Sequence, residues 1–145
     1  MSSRGSKATN GHVTTSEYTT YSITNTGVKI LKGIGNNHSL PDYSHSPNSI
    51  YDKLKKDGKT LHEMRFYDKN GNPIIEIGYH PEPIINNGDR VTNILHYHVY
   101  SGLDRINVER MSDHPDVKEK YSIYLKEFDL YDYCNFRTIF RYRMV

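Results

Sequence analysis

Three stretches of the chain alternate between apolar and polar positions with a period of two: Leu61 to Asp68, Pro73 to His80 and Ile94 to Tyr100. Successive side chains of a strand point to opposite faces, so residues two apart share a side. In the first stretch Met64 and Phe66 oppose Glu63, Arg65 and Tyr67. In the second, Ile75, Ile77 and Tyr79 oppose Ile74, Glu76, Gly78 and His80, and in the third Leu95, Tyr97 and Val99 oppose Ile94, His96, His98 and Tyr100. One face reads as core and the other as chemistry.

The turn signal Asp68-Lys69-Asn70-Gly71-Asn72-Pro73 sits between the first two stretches. Asn-Gly supplies positive φ between alternating runs, so a hairpin from Leu61 to His80 is expected. Upstream, Ile50 to Lys56 reads as either a short helix or a strand feeding a turn, and the pattern leaves both open. Downstream, His80-Pro81-Glu82-Pro83 begins a long polar loop that closes at Asn93, of the kind that often carries function. Ser112 or Asp113 could cap a helix with Pro115 in its first turn. Its apolar stripe is Val117, Tyr121, Tyr124, Leu125 and Phe128, which fits packing on the core face of the sheet.

The expected fold is therefore α+β: a small antiparallel sheet built on a hairpin, with a C-terminal helix packed on one face. Residues 1–26 are rich in Ser, Thr, Gly and Asn and read as a flexible arm, in which Tyr18, Tyr21 and Ile23 could add an edge strand. Residues 27–145 read as one domain, its packed part starting near Ile50. Gly33-Ile34-Gly35 lacks a third glycine and a following Lys-Ser/Thr, so it is a poor nucleotide loop.

A net charge of +2 is too small to argue for nucleic acid by itself. Its distribution adds a hint, because Arg137, Arg141 and Arg143 interleave with Phe136, Phe140 and Tyr142. Such a tail could follow a phosphate backbone while its rings stack on bases, or simply dock on the core. Cys134 is the single cysteine, which rules out an internal disulfide and a thiolate zinc cage. No charged start precedes an apolar run and no run approaches a membrane span, so neither a secretory signal nor a membrane partner is expected.

Imidazoles titrate near neutral pH, so two of them can serve as base and acid in one cycle. Cleaving RNA without metal needs such a pair and a cation for the charged phosphorane. Here His96 and His98 or His80 could exchange protons while Arg65 clamps phosphate and Glu76 orients an imidazole. Tyr67, Glu63 and Arg90 would bind substrate. The same residues also support a metal reading: His96-x-His98 with His80 or Glu76 could hold zinc or another transition ion, although no cofactor is required. A solvated face with weak ion pairs is the plainer alternative. His12, His38, His45, His62 and His114 read as surface or loop residues.

The stretch from Ser46 to His98 resembles a domain found at the C-termini of bacterial polymorphic toxins and in small phage-encoded proteins of low-GC bacteria. The shared pattern is Pro47-Asn48-Ser49, Asp57-Gly58-Lys59, Arg65-Phe66-Tyr67-Asp68-Lys69-Asn70-Gly71, Glu76-Ile77, His80 and His96-x-His98. The Ser3-Arg4-Gly5 start also looks like that of the phage-encoded members. The family shows Asp-Ile where Glu76-Ile77 stands and His-Gly-Asn where His80-Pro81-Glu82 stands, a departure that bears on His80 more than on His96 and His98. The resemblance implies a nuclease-like, toxin-like RNase or phosphodiesterase in the cytoplasm of a bacterial host cell, with RNA or a nucleotide as ligand and an immunity or host protein as partner. The competing expectation is a non-catalytic phage or host-interaction module that binds a nucleotide, a nucleic acid or a protein.

Overall fold

Among the described residues, nine strands join in one sheet whose spatial order follows the chain order. In the computed structural model, residues 7–9, 12–14, 18–33, 39–54 and 61–128 are described. The strands are β1 (Lys7–Thr9), β2 (His12–Thr14), β3 (Tyr18–Ile23), β4 (Lys29–Gly33), β5 (Ile50–Leu54), β6 (Leu61–Tyr67), β7 (Pro73–His80), β8 (Ile94–Ser101) and β9 (Asp104–Arg110). A single turn of 3-10 helix, Met111–Asp113, leads into α1 (Pro115–Lys120), and a second helical segment covers 122–128.

The α+β expectation holds, but the sheet is larger than a hairpin core and is not purely antiparallel. Every neighbouring pair runs antiparallel except β4 and β5, which pair in parallel from Lys29↔Tyr51 to Leu31↔Lys53. A parallel pair cannot be joined by a tight turn, which is why a long connection separates these two strands. Within the segment read as an arm, Tyr18–Ile23 forms a strand bonded to β4, with Tyr18 buried. Ile50–Leu54 resolves to a strand rather than a helix.

The hairpin forms as expected, although only Gly71 of the Asn-Gly pair takes positive φ, at 83°. The Asp68 carboxylate accepts the backbone N–H of Asn70 and Asn72, and the register slips by one between Phe66 and Tyr67. These features belong to a longer loop with a bulge rather than a two-residue turn.

The apolar face carries the main core. Met64, Phe66, Ile75, Ile77 and Tyr97 meet Met111, Leu125 and Phe128, with Val117, Tyr121 and Tyr124 packed around them. Phe66 touches both Tyr121 and Tyr124 edge-on or tilted, at centroid distances of 4.9 and 5.1 Å. The helical stripe is thus the one expected, but the helix breaks at Tyr121, and its N-cap is His114, without a side-chain cap, rather than Ser112 or Asp113.

The opposite face is not wholly open. At the β3 to β6 side, the connection between β4 and β5 folds back over it, and Leu40 joins Tyr18, Leu31, Tyr51 and Tyr67 in a second buried cluster. The arginine-rich tail, Cys134, Tyr131, Tyr133 and the middle of Gly33-Ile34-Gly35 lie outside the described residues.

Candidate functional site

Cross-strand register lines up the polar residues in two rows. Arg65 pairs with Glu76, which pairs with His98; Glu63 pairs with Gly78, which pairs with His96. Strand alternation then puts all of these side chains on the face away from the main core. The sequence expectation of a shared face for Glu63, Arg65, Tyr67, Glu76, His80, His96 and His98 agrees with this register.

What each group does there differs from expectation. The Arg65 guanidinium donates through Nε and Nη2 to a single oxygen of Glu76, Oε2, at 2.9 and 2.7 Å, and through Nη1 to the carbonyls of Leu40 and Pro41. Its side chain is 12% exposed and that of Glu76 1%. Arg65 is therefore a structural cation that ties the β4–β5 connection to the sheet, and it is not free to clamp phosphate. Glu76 correspondingly does not orient an imidazole: its second oxygen accepts from Arg105 at 3.2 Å. Tyr67 is buried, donates its hydroxyl to the Pro41 carbonyl and has no face open to a base. Burial pushes its phenol well above the usual tyrosine range. Tyr100 lies beneath Arg65, 5.3 Å from the guanidinium carbon, and burial beside Glu76 pushes its phenol up to about 12.

The histidines do converge. His80 and His96 meet edge-on at 4.6 Å between centroids, and His96 and His98 do so at 5.5 Å. A fourth ring, His62, stacks on His80 at 4.4 Å with only 13° between planes. The sequence reading took His62 for a surface or loop residue, outside the candidate site. The correction has a physical cause: the β5–β6 register slips between Lys53↔Glu63 and Leu54↔Leu61, so His62 is the extra residue of a bulge. A bulge re-aims a side chain that plain alternation would send away.

Glycine makes room for this row. A Cβ on Gly78 would lie 2.8 Å from His80 Nε2 and 3.2 Å from His96 Cε1. Only the absence of a side chain there lets the two rings close over the strand.

The loop 81–93 covers the row and adds a carboxylate that the sequence reading passed over. Glu82 Oε1 lies 3.7 Å from His98 Nε2 and 4.0 Å from His96 Nε2. Arg110 holds this loop by donating from Nη2 to the Ile85 carbonyl. The Nδ1 atoms of His96 and His80 face the carbonyls of Ile94 and Pro81 at 2.7 and 2.9 Å. A carbonyl can only accept, so each Nδ1 carries a proton, and in a neutral His96 ring Nε2 then presents its lone pair. His96 is fully buried, His98 is nine-tenths buried, and the Nε2 atom of each has no hydrogen-bond partner among the described residues. Burial holds both imidazoles below the usual histidine range, with His80 adding to the effect at His96 and Arg105 at His98. Both shifts favour the neutral ring.

Of the remaining expected residues, Glu63 pairs with Lys53 at 3.4 Å beside His62. Arg90 lies exposed in the 81–93 loop and makes no ion pair or hydrogen bond there among the described residues. Arg105, half-exposed beside Glu76, is a cation the sequence reading did not single out, because that reading drew no strand over residues 104–110. His45 and His114 sit apart from the row, bonded to Tyr51 and Glu109.

Comparisons with protein-family models, with curated proteins and with solved structures found no match to this chain. No helix among the described residues is long and apolar enough to cross a membrane.

Proposed function

We propose that the protein cleaves phosphodiesters, RNA first among them, at the row formed by His62, His80, His96 and His98. The observation that carries this reading is the convergence of these rings, with two buried Nε2 atoms left without a hydrogen-bond partner among the described residues. Buried polar atoms are nearly always satisfied, and those that are not cluster where chemistry or a ligand completes them.

The division of labour differs from a symmetrical acid–base pair. The His96 ring, its proton held at Nδ1 by the Ile94 carbonyl, accepts but does not donate at Nε2 when neutral, so it serves the nucleophile's side of the reaction with His98 beside it. Protonation of the leaving oxygen falls to His80, at the more open end of the row. Arg105 replaces Arg65 as the cation for the developing phosphorane charge, since its guanidinium is half-exposed and near enough to His98 to influence its titration.

The test is digestion of end-labelled RNA and DNA oligonucleotides by the full chain, beside His80→Asn, His98→Gln and Arg105→Gln variants whose circular dichroism matches the parent. Losses of at least ~100-fold in the histidine variants and ~10-fold in Arg105→Gln are expected, in the range of positioned acid–base and electrostatic groups. Unchanged cleavage in the histidine variants, or no cleavage of any substrate by the parent, overturns the reading. A non-catalytic nucleotide- or protein-binding module is the second reading, favoured by the complete burial of His96. Saturable nucleotide binding without turnover selects it.

A further inference from the structure

We infer that Glu82, His96 and His98 form a binding site for one divalent transition-metal ion of the zinc class. The inference goes beyond the phosphodiester reading and stands on geometry that is independent of any substrate.

Three observations converge on it. The donor atoms of Glu82, His96 and His98 all lie within 4.8 Å of one another. Around an ion with bonds of roughly 2.0 to 2.2 Å, tetrahedral neighbours sit about 3.3 to 3.5 Å apart. The spacings of 3.7 and 4.0 Å from the Glu82 oxygen to the two nitrogens need to close by only a few tenths of an ångström. Second, the two nitrogens are buried Nε2 atoms that have no hydrogen-bond partner among the described residues. Third, the Ile94 carbonyl fixes His96 in the tautomer that a metal needs. This is the outer-sphere contact that metal-bound histidines usually carry.

The donor set selects the ion. Two imidazoles and one carboxylate suit a borderline cation such as Zn²⁺, whereas calcium and magnesium prefer all-oxygen sites. Three protein donors leave a fourth position open, the pattern of a reactive rather than a purely structural zinc site. His-x-His supplies two donors from one strand face, and the carboxylate arrives from the loop. An ion would therefore pin the 81–93 loop onto β8. Where the phosphodiester reading also holds, the ion rather than a bare imidazole activates the nucleophile.

The experiment is titration calorimetry of the metal-free full chain with ZnCl₂, paired with thermal melts with and without the ion. One saturable high-affinity equivalent and a raised melting temperature are expected. Because His96 is fully buried and its replacement threatens the fold, the informative variants are Glu82→Gln on the loop and His98→Gln. Each is expected to weaken zinc binding by at least ~10-fold and to abolish the thermal shift. Absence of saturable binding overturns the inference. So does binding that survives in both variants, or that is lost only in His62→Ala, which would place the ion at the neighbouring His62, Glu63 and His80 group. Metal uptake without RNA turnover leaves this site standing and removes the phosphodiester reading; RNA turnover by a chain that takes up no zinc removes this site and leaves that reading.

Discussion

Arg65 grips Glu76 across the β6–β7 pair with two nitrogens on one carboxylate oxygen, and both side chains are nearly sealed from solvent. Removing one partner of a buried pair costs about 3 to 5 kcal/mol where the other charge is left poorly compensated, and here Glu76 would keep only the half-exposed Arg105. Arg65→Ala is accordingly expected to lower unfolding free energy by that amount in urea titration, since the Leu40 and Pro41 carbonyls also lose a donor. Arg65→Lys is expected to rescue only part, because an ammonium cannot reproduce the fork. A loss below 1 kcal/mol for Arg65→Ala would show that the pair contributes little.

Tyr67→Phe tests the same anchor more gently. The Pro41 carbonyl would keep its bond from Arg65, so the loss is expected to be about 1 kcal/mol, the ordinary worth of a buried hydrogen bond. RNA cleavage should be unchanged, since Tyr67 faces the second core and not the histidines.

Gly78→Ala is expected to separate fold from site. Its methyl would collide with the far end of His80, a side chain that can swing away, so stability should change by no more than about 1 kcal/mol. The swing would break the His80–His96 contact, visible as displaced imidazole resonances in ¹⁵N-edited NMR and as reduced cleavage. Unmoved His80 signals would contradict the packing described.

Asp52 gives a pH signature on the other face. It is fully buried, and burial first, then the charges of Glu63 and Glu127, hold its carboxyl well above the usual range. Such a group binds its proton more tightly folded than unfolded. Its contribution is complete below the unfolded value near pH 4 and is lost as pH rises through the folded value. Asp52→Asn, which keeps an oxygen for the Lys53 N–H, is expected to flatten this decline and to raise the melting temperature at neutral pH. A parallel pH profile in parent and variant would refute the assignment.

Period-two alternation was enough to place Arg65, Glu76, His96 and His98 on one face, because β6, β7 and β8 pair in a regular register there. It failed for His62, where a bulge breaks the period. It was silent on Glu82, which reaches the row from a loop that has no period. Nor could it show that Arg65 and Tyr67 are consumed by the backbone of Leu40 and Pro41, since that contact spans some 25 residues of sequence. The parallel step was equally hidden, because strand direction depends on how a connection travels and not on the residues within the strand.

That parallel step also orders the way the chain can fold. On either side of it, each strand meets its sequence neighbour through a local reversal, so the β3–β4 unit and the β5-to-β9 run can each zip up from nearby contacts. Joining them requires closing the whole 34–49 connection, a slower event with a larger entropic toll. The seam between Ile30 and Asp52 should then be the last to knit and the first to let deuterium in.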